Sequence, residues 1–322
     1  MTYSKPHLSY QQQLDLMKSR GVSCADDEAA IRALSANGYY NVSGYVYPFR
    51  LPNPEGGRFD EVRPGTSFED IVKLIRFDRR LRASLLTGIQ LVEVGVRAKI
   101  AYVLGARDPF GHLHRESLDN AATRKTRLVS GCEMTAFDAW VEKYEALQEN
   151  AKTEPYFIHN CDKYDLPLPV WIACEFFDFG AVTRLYSLLL HEDRQTIAAA
   201  AGLRQERTLQ SWLAALNDVR NICAHNGRLW NRVLLKKPQV KPADLPSDLQ
   251  FLTGLPTEKV FTVIVITAWL TSHLCPDENW ADSARTMLRK FPVISSVSVS
   301  DVGVPDKWDQ STIWKRADSS AR

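Results

Sequence analysis

From residue 66 to about residue 104, apolar side chains recur every three or four positions, and few folds accommodate such a run. Ile71, Leu74, Ile75, Leu81, Leu85, Leu86, Ile89, Val92, Val96 and Ile100 fall on one helical face. A strand would bury alternate residues instead. The spacing predicts one long helix, or two helices broken near Asp78. Ser67 or Thr66 is placed to cap its start, with Glu69 and Asp70 in the first turn. Helical spacing returns over residues 10–20, 26–37, 134–148, 170–190 (with a kink near Gly180), 193–201, 206–225, 257–274 and 281–290. No internal repeat and no alternation of strands with helices is visible, so the expected fold is mainly α.

The punctuation is local. Asp26 is the expected N-cap of the second helix, and Asn37-Gly38 its end. Residues 39–49 are aromatic and partly alternating; they read either as a short strand or as an aromatic-packed loop. Residues 51–65, rich in Pro and Gly, read as a loop with an extended piece at 58–62. The expected organisation is an N-terminal helical extension with an aromatic loop (1–65), a helical core (66–292) and a short tail (293–322) whose Trp308 and Trp314 dock back.

Charge and composition exclude several classes. The 322 residues carry 40 Lys and Arg against 38 Asp and Glu, a formal net charge of +2. Binding of nucleic acid through a generally basic surface is excluded, while a local basic face is not. Six cysteines without a CxxC pair are too sparse for a disulfide scaffold and give no closed zinc site. No metal and no cofactor is expected. The opening MTYSKPHLSYQQQ lacks an apolar core, so no secretory signal is expected. The most apolar stretch, Val260–Leu274, is too short to span a bilayer. The chain is expected in the cytoplasm, without membrane contact.

The chemistry concentrates in residues 216–232. On a helix of about 100° per residue, Asn217, Asn221 and His225 form one polar row. Arg220 flanks that row on one side and Asp218 on the other. Leu216, Val219, Ile222 and Cys223 take the opposite, core-facing side. Solvent-facing helix rows are usually Lys and Glu. Short amides with one Arg and one His suit an anion or a partner helix better. His225 precedes Asn226-Gly227, the expected helix end, where the dipole favours a protonated imidazole. Arg228, Asn231 and Arg232 follow and add positive potential nearby.

Arg220-Asn221-x3-His225 matches the R-N-x-x-x-H motif of the HEPN superfamily of helical ribonucleases. An Arg-x4-His pair alone is weak in a chain of this length. The wider sequence resembles the Abi_2 (AbiD/AbiF-like) abortive infection family of bacterial phage-defence proteins over nearly its whole length. The resemblance runs through Lys5-Pro6-x-Leu8-Ser9-Tyr10-x-x-Gln13 and Tyr39-Tyr40-Asn41-Val42-Ser43-Gly44-Tyr45. It continues through Gly65-Thr66-Ser67-Phe68-Glu69-Asp70-Ile71, Phe77-Asp78-Arg79-Arg80-Leu81-Arg82, Leu168-Pro169-Val170-Trp171 and Asp178-Phe179-Gly180, and then residues 220–232. Val302-Gly303-Val304-Pro305-Asp306-x-Trp308 resembles the family's C-terminal signature, with Val302 where Met is common. Asn226-Gly227 stands where many relatives carry a second His and a Ser.

The resemblance implies an HEPN-like helical bundle and a metal-independent RNA endonuclease. Such enzymes pair two units at one scissile phosphate. The chain shows only one Arg-x4-His in plausible helical context, Arg220 to His225, so the resemblance implies a homodimer. His225 would act as general base or acid, Arg220 would hold the phosphate, and Asn221 would orient His225 or the substrate. Two other readings remain open. The chain could hold a structured non-coding RNA without cleaving it, or be a toxin silenced by an RNA or protein antitoxin.

Each residue also has a plainer reading. Arg220 and His225 could cap and join helices, and Asn217 and Asn221 could bond helix to helix. Arg76, Arg79, Arg80 and Arg82 form a basic cluster that either contacts RNA or is a solvated face paired with Asp70 and Asp78. Arg97 and Lys99 extend it. Arg228 and Arg232 are further candidates for RNA contact. The tyrosines at 39, 40, 45 and 47 either stack bases or pack in the core. Glu93 is either buried against Arg97 or points into the site.

Overall fold

The computed structural model describes residues 6–129 and 131–314. Lys5 of the opening motif and residues 315–322 of the tail lie outside them. Among the described residues the chain forms thirteen α-helices and two small antiparallel ladders.

The N-terminal extension comprises α1 (Tyr10–Ser19), α2 (Asp27–Asn37) and α3 (Tyr39–Val46), then β1 (Arg50–Pro52) paired with β2 (Arg58–Val62). Asp26 caps α2 by accepting from the Ala29 N–H at 2.9 Å. Gly38, at φ 75°, separates α2 from α3. Neither the strand nor the loop expected at residues 39–46 forms. Val42, Tyr45 and Val46 are the buried residues there, and that spacing is helical. Packing overrides the β-propensity of the tyrosines.

The axis of the fold is α4 (Phe68–Arg107), 40 unbroken residues and about 60 Å long. Ser67 caps it, accepting from the Asp70 N–H at 3.1 Å. Asp78 does not break it, because four donors satisfy its buried carboxylate, as described below. A short α5 (Asn120–Thr123) leads into a hairpin, β3 (Thr126–Val129) and β4 (Cys132–Thr135), which sequence patterning did not foresee. Then follow α6 (Ala136–Ala151), α7 (Pro155–Lys163), α8 (Val170–Ala173) and α9 (Phe179–Leu188). The stretch expected as one kinked helix is thus two. The break falls at Asp178, which caps α9 by accepting from the Ala181 N–H at 2.7 Å.

Next come α10 (His191–Ala200), α11 (Glu206–Ala224), α12 (Val260–Leu274) and α13 (Trp280–Arg289). Every residue of α12 from Val260 to Thr271 is buried, which explains its apolar run as core. No helix among the described residues is long and apolar enough to cross a membrane. α12 reaches α4 closely because Gly88 and Gly95 lack side chains. A Cβ there would lie 2.8 Å from Thr267 and 2.7 Å from Leu274 respectively. The tail docks as expected. Val302 and Trp314 are buried, and Trp308 and Trp314 stack edge to face at 5.3 Å against Phe261. One core cluster joins Leu14 of the extension, α4, α11, α12 and Trp314 of the tail.

Candidate functional site

The site is built on the C-terminal half of α11. Leu209, Trp212, Leu213, Leu216, Val219 and Cys223 bury one side of this helix. The other side shows Asn217 and Arg220 half-buried, and Asn221 and His225 exposed. This matches the polar row read from the sequence.

A Schellman turn ends the helix. Asn226 takes the left-handed conformation at φ 55°. Its N–H donates to the Cys223 carbonyl at 3.2 Å, and the Gly227 N–H donates to the Ile222 carbonyl at 2.9 Å. His225 therefore sits at the negative end of the dipole, as the C-cap residue just past α11. Its ring has no hydrogen-bond partner among the described residues.

Charges from two other elements surround Arg220 at a distance. Its guanidinium donates to Asn221 Oδ1 at 3.3 Å. Glu93 of α4 and Asp178 at the start of α9 lie within electrostatic reach. Burial raises the Glu93 carboxyl above the usual range, opposed by Arg220 and Arg97. Arg97 and Arg220 both lie within electrostatic reach of Glu93. Burial also acts to raise Asp178, but Lys143 at 2.7 Å, the Ala181 N–H and Arg220 outweigh it and hold the carboxyl low. Asn217 faces the start of α9, where a Cβ on Gly180 would sit 3.9 Å from both its polar atoms.

Behind the helix end lies Asp78, fully buried. It accepts from the Tyr45 hydroxyl at 2.5 Å, from Arg82, and from the N–H groups of Leu229 (3.2 Å) and Trp230 (2.7 Å). Arg228 donates to the Gly44 carbonyl of α3. Burial pulls its pKa below the usual arginine value, with Tyr45 and Asp78 opposing. Arg232 remains exposed and folds back over the turn, with one nitrogen 3.5 Å from where a Gly227 Cβ would lie.

The basic cluster on α4 does not stay together. Arg76, Arg79 and Arg80 are exposed, and Arg79 donates to Asn37 Oδ1 at 3.1 Å. Arg76 and Arg80 lie about 160° around the helix from Asp78, away from the turn that carries Arg228. Arg82 departs from its neighbours: it is buried against Asp78 and Tyr45 and offers no surface to RNA. It pairs with the carboxylate four residues earlier, but it is buried there and is not part of a solvated face. Asp78, Asp178 and Lys143 were not read as part of the site. The one signal in the sequence was Asp78 itself, an acid standing in the apolar row between Leu74 and Leu81.

A family model described as "Abi-like protein" matches residues 32–231, from within α2 to just past Trp230. The chain belongs to that family. The match covers well over half of the chain and includes α4, α11 and the Asp78 clamp. None of the curated proteins and none of the solved structures compared with this Abi-like protein matches it. Membership points to abortive infection, a bacterial response to phage. Among the described residues, no three of His, Cys, Asp and Glu gather as a metal cage in this Abi-like protein.

Proposed function

We propose that this Abi-like protein is an endoribonuclease of the HEPN type that acts in phage defence, in the cytoplasm and as a homodimer. One observation carries the reading. Arg220, bonded to Asn221, and the unpartnered His225 share the exposed end of one helix whose opposite side is core. The guanidinium bonds to Asn221, with Glu93 and Asp178 only within electrostatic reach, and presents its remaining donors to an anion. A ribose 2′-oxygen attacks the adjacent phosphorus while His225 takes its proton. The phosphorus–5′-oxygen bond breaks, and His225 of the partner subunit gives a proton to the leaving oxygen. The products are a 2′,3′-cyclic phosphate and a 5′-hydroxyl. The reaction needs two imidazoles at one phosphate, and each chain supplies one at this place.

Asn221 holds Arg220 and borders the substrate, and Asn217 braces α11 against α9. Arg228 and Arg232 are phosphate contacts beside the site, with Arg76, Arg79 and Arg80 as a more distant basic face. Purified protein incubated with total RNA in EDTA should leave cyclic-phosphate ends, mapped by sequencing. Uncleaved RNA that co-purifies as one dominant species would instead favour a scaffold for a structured RNA. An antitoxin, RNA or protein, fits the same exposed helix end, and a partner that co-purifies and suppresses cleavage would identify it.

A further inference from the structure

Tyr40 is 91% exposed and Tyr47 is 44% exposed. An isolated exposed tyrosine needs no explanation, but these two are not isolated. Tyr40, Gly44 and Tyr47 stand at i, i+4 and i+7 along α3 and the single 3-10 turn that continues it. At that spacing they share one face, with the rings about 10 Å apart along the axis. The residue between them is a glycine, and its carbonyl accepts from Arg228. A Cβ on Gly44 would already lie 3.8 Å from the Arg228 nitrogen. The guanidinium therefore rests against the helix at Gly44, the position between the two tyrosines on that face.

More cations border the same face. The Arg58 and Arg50 guanidinium carbons lie 5.7 Å and 6.0 Å from the Tyr47 ring centroid. Arg58 is fixed by donating to the Arg50 carbonyl at 2.7 Å. Asp60 pairs with Arg50 at 2.8 Å and with Arg20 at 2.7 Å. Arg58 and Arg232 make no ion pair with an acid among the described residues. Arg232 in turn leans over Gly227, two residues from His225. The row thus begins at the candidate scissile site and runs outward along α3.

We propose that Tyr40, Tyr47, Arg228 and Arg232 form a platform for unpaired RNA next to the cleavage site, with bases on the tyrosines and phosphates on the arginines. The proposal rests on the ribonuclease reading above and adds to it the substrate class, a single strand. Ring faces and cations in alternation match a strand whose bases are free to stack. An A-form duplex hides its base faces and would use the arginines alone. An acidic protein segment would use the arginines and leave the exposed rings unexplained.

The test separates binding from cleavage. Full-length His225→Ala protein is titrated with a labelled, unstructured RNA of about twelve nucleotides, and with a hairpin duplex of the same composition. Tyr40→Ala and Tyr47→Ala in that background should each weaken the single strand roughly 5- to 100-fold, and the duplex little. Tyr→Phe at either position should retain binding, because the ring face is kept. Arg232→Ala should lower the salt slope by about one. Circular dichroism guards against unfolding. Unchanged single-strand affinity in the folded double Tyr→Ala variant overturns the platform and leaves the ribonuclease reading standing. Failure of His225→Ala protein to bind either RNA overturns both. A poly-glutamate peptide whose binding depends on the tyrosines, while RNA binding does not, overturns the platform in favour of a protein partner.

Discussion

The carboxylate of Asp78, buried in the first third of α4, accepts a 2.7 Å hydrogen bond from the backbone N–H of Trp230, 152 residues further along the chain. Tyr45, Arg82 and the Leu229 N–H share the same carboxylate. This one group ties α3 and α4 to the turn that follows the candidate catalytic helix. Asp78→Ala would leave the buried Arg82 guanidinium without its counter-charge and two buried N–H groups without an acceptor. The expected loss is about 3–5 kcal/mol in urea unfolding. Asp78→Asn, which keeps an acceptor oxygen, should cost less. A loss below about 1 kcal/mol for the alanine variant would show that the clamp is not what holds the turn.

Arg220→Ala and His225→Ala should abolish both RNA cleavage and growth arrest while leaving stability within about 0.5 kcal/mol, since neither residue is in the core. Arg220→Lys should fail to restore activity, because a point charge cannot replace the guanidinium fork. Survival of toxicity in either alanine variant places the active site elsewhere in the chain.

Asn226 holds a left-handed backbone that non-glycine residues seldom adopt. Asn226→Gly should be neutral or stabilise by up to about 1 kcal/mol, and Asn226→Ala should destabilise by about 1 kcal/mol. The alanine variant should also fray the last turn of α11, which positions His225. Faster amide exchange at Gly227, whose N–H closes the Schellman turn, reads this directly.

Much of this architecture was legible in the sequence because it is written in local periods. The spacing from Ile71 to Ile100, the cap at Asp26 and the polar row Asn217–Asn221–His225 need only neighbouring residues to be read. What was not legible depends on distant partners. The helical state of residues 39–46 is decided by what Val42, Tyr45 and Val46 bury against. The role of Arg82 is decided by Asp78, and the role of Asp78 by backbone donors at Leu229 and Trp230. What the aromatic motif around Gly44 borders is decided by Arg228, which donates to the Gly44 carbonyl. Local pattern located the candidate site, and long-range pairing decided which arginines belong to it.

Stability should fall on mild acidification because of His112. Its ring is fully buried, with both nitrogens unpartnered, 5.2 Å from the Tyr144 ring and near Phe177. Burial, with help from His114 and against Asp108, lowers its pKa to about 4. The unfolded chain therefore takes up this proton near pH 6.5, while the folded protein resists it until about pH 4. Stability is constant above that window and declines as pH drops through it, by about 2 kcal/mol between pH 7 and pH 5. Asp108 is held at about 2, where Ser117, His114 and the Phe110 N–H overcome its burial, so its own contribution is lost only below about pH 4. His112→Phe should flatten urea-unfolding stability between pH 7 and pH 5. An unchanged slope would mean that another group carries the dependence.

A dimeric site makes a quantitative prediction about mixtures. If each scissile phosphate needs His225 from two chains, a mixed dimer of wild-type and His225→Ala subunits is inactive. With random pairing, activity should then follow the square of the wild-type fraction. Half-and-half mixtures, refolded together, should retain about a quarter of the activity rather than half, by the symmetry of a two-fold interface. The inactive chain should also act dominantly over the wild type in cells. A linear dependence on the wild-type fraction would mean that each chain cuts alone, and a second proton donor would then have to lie within it. Glu93, whose carboxyl burial pushes upward beside Arg220, is the first residue to test in that event.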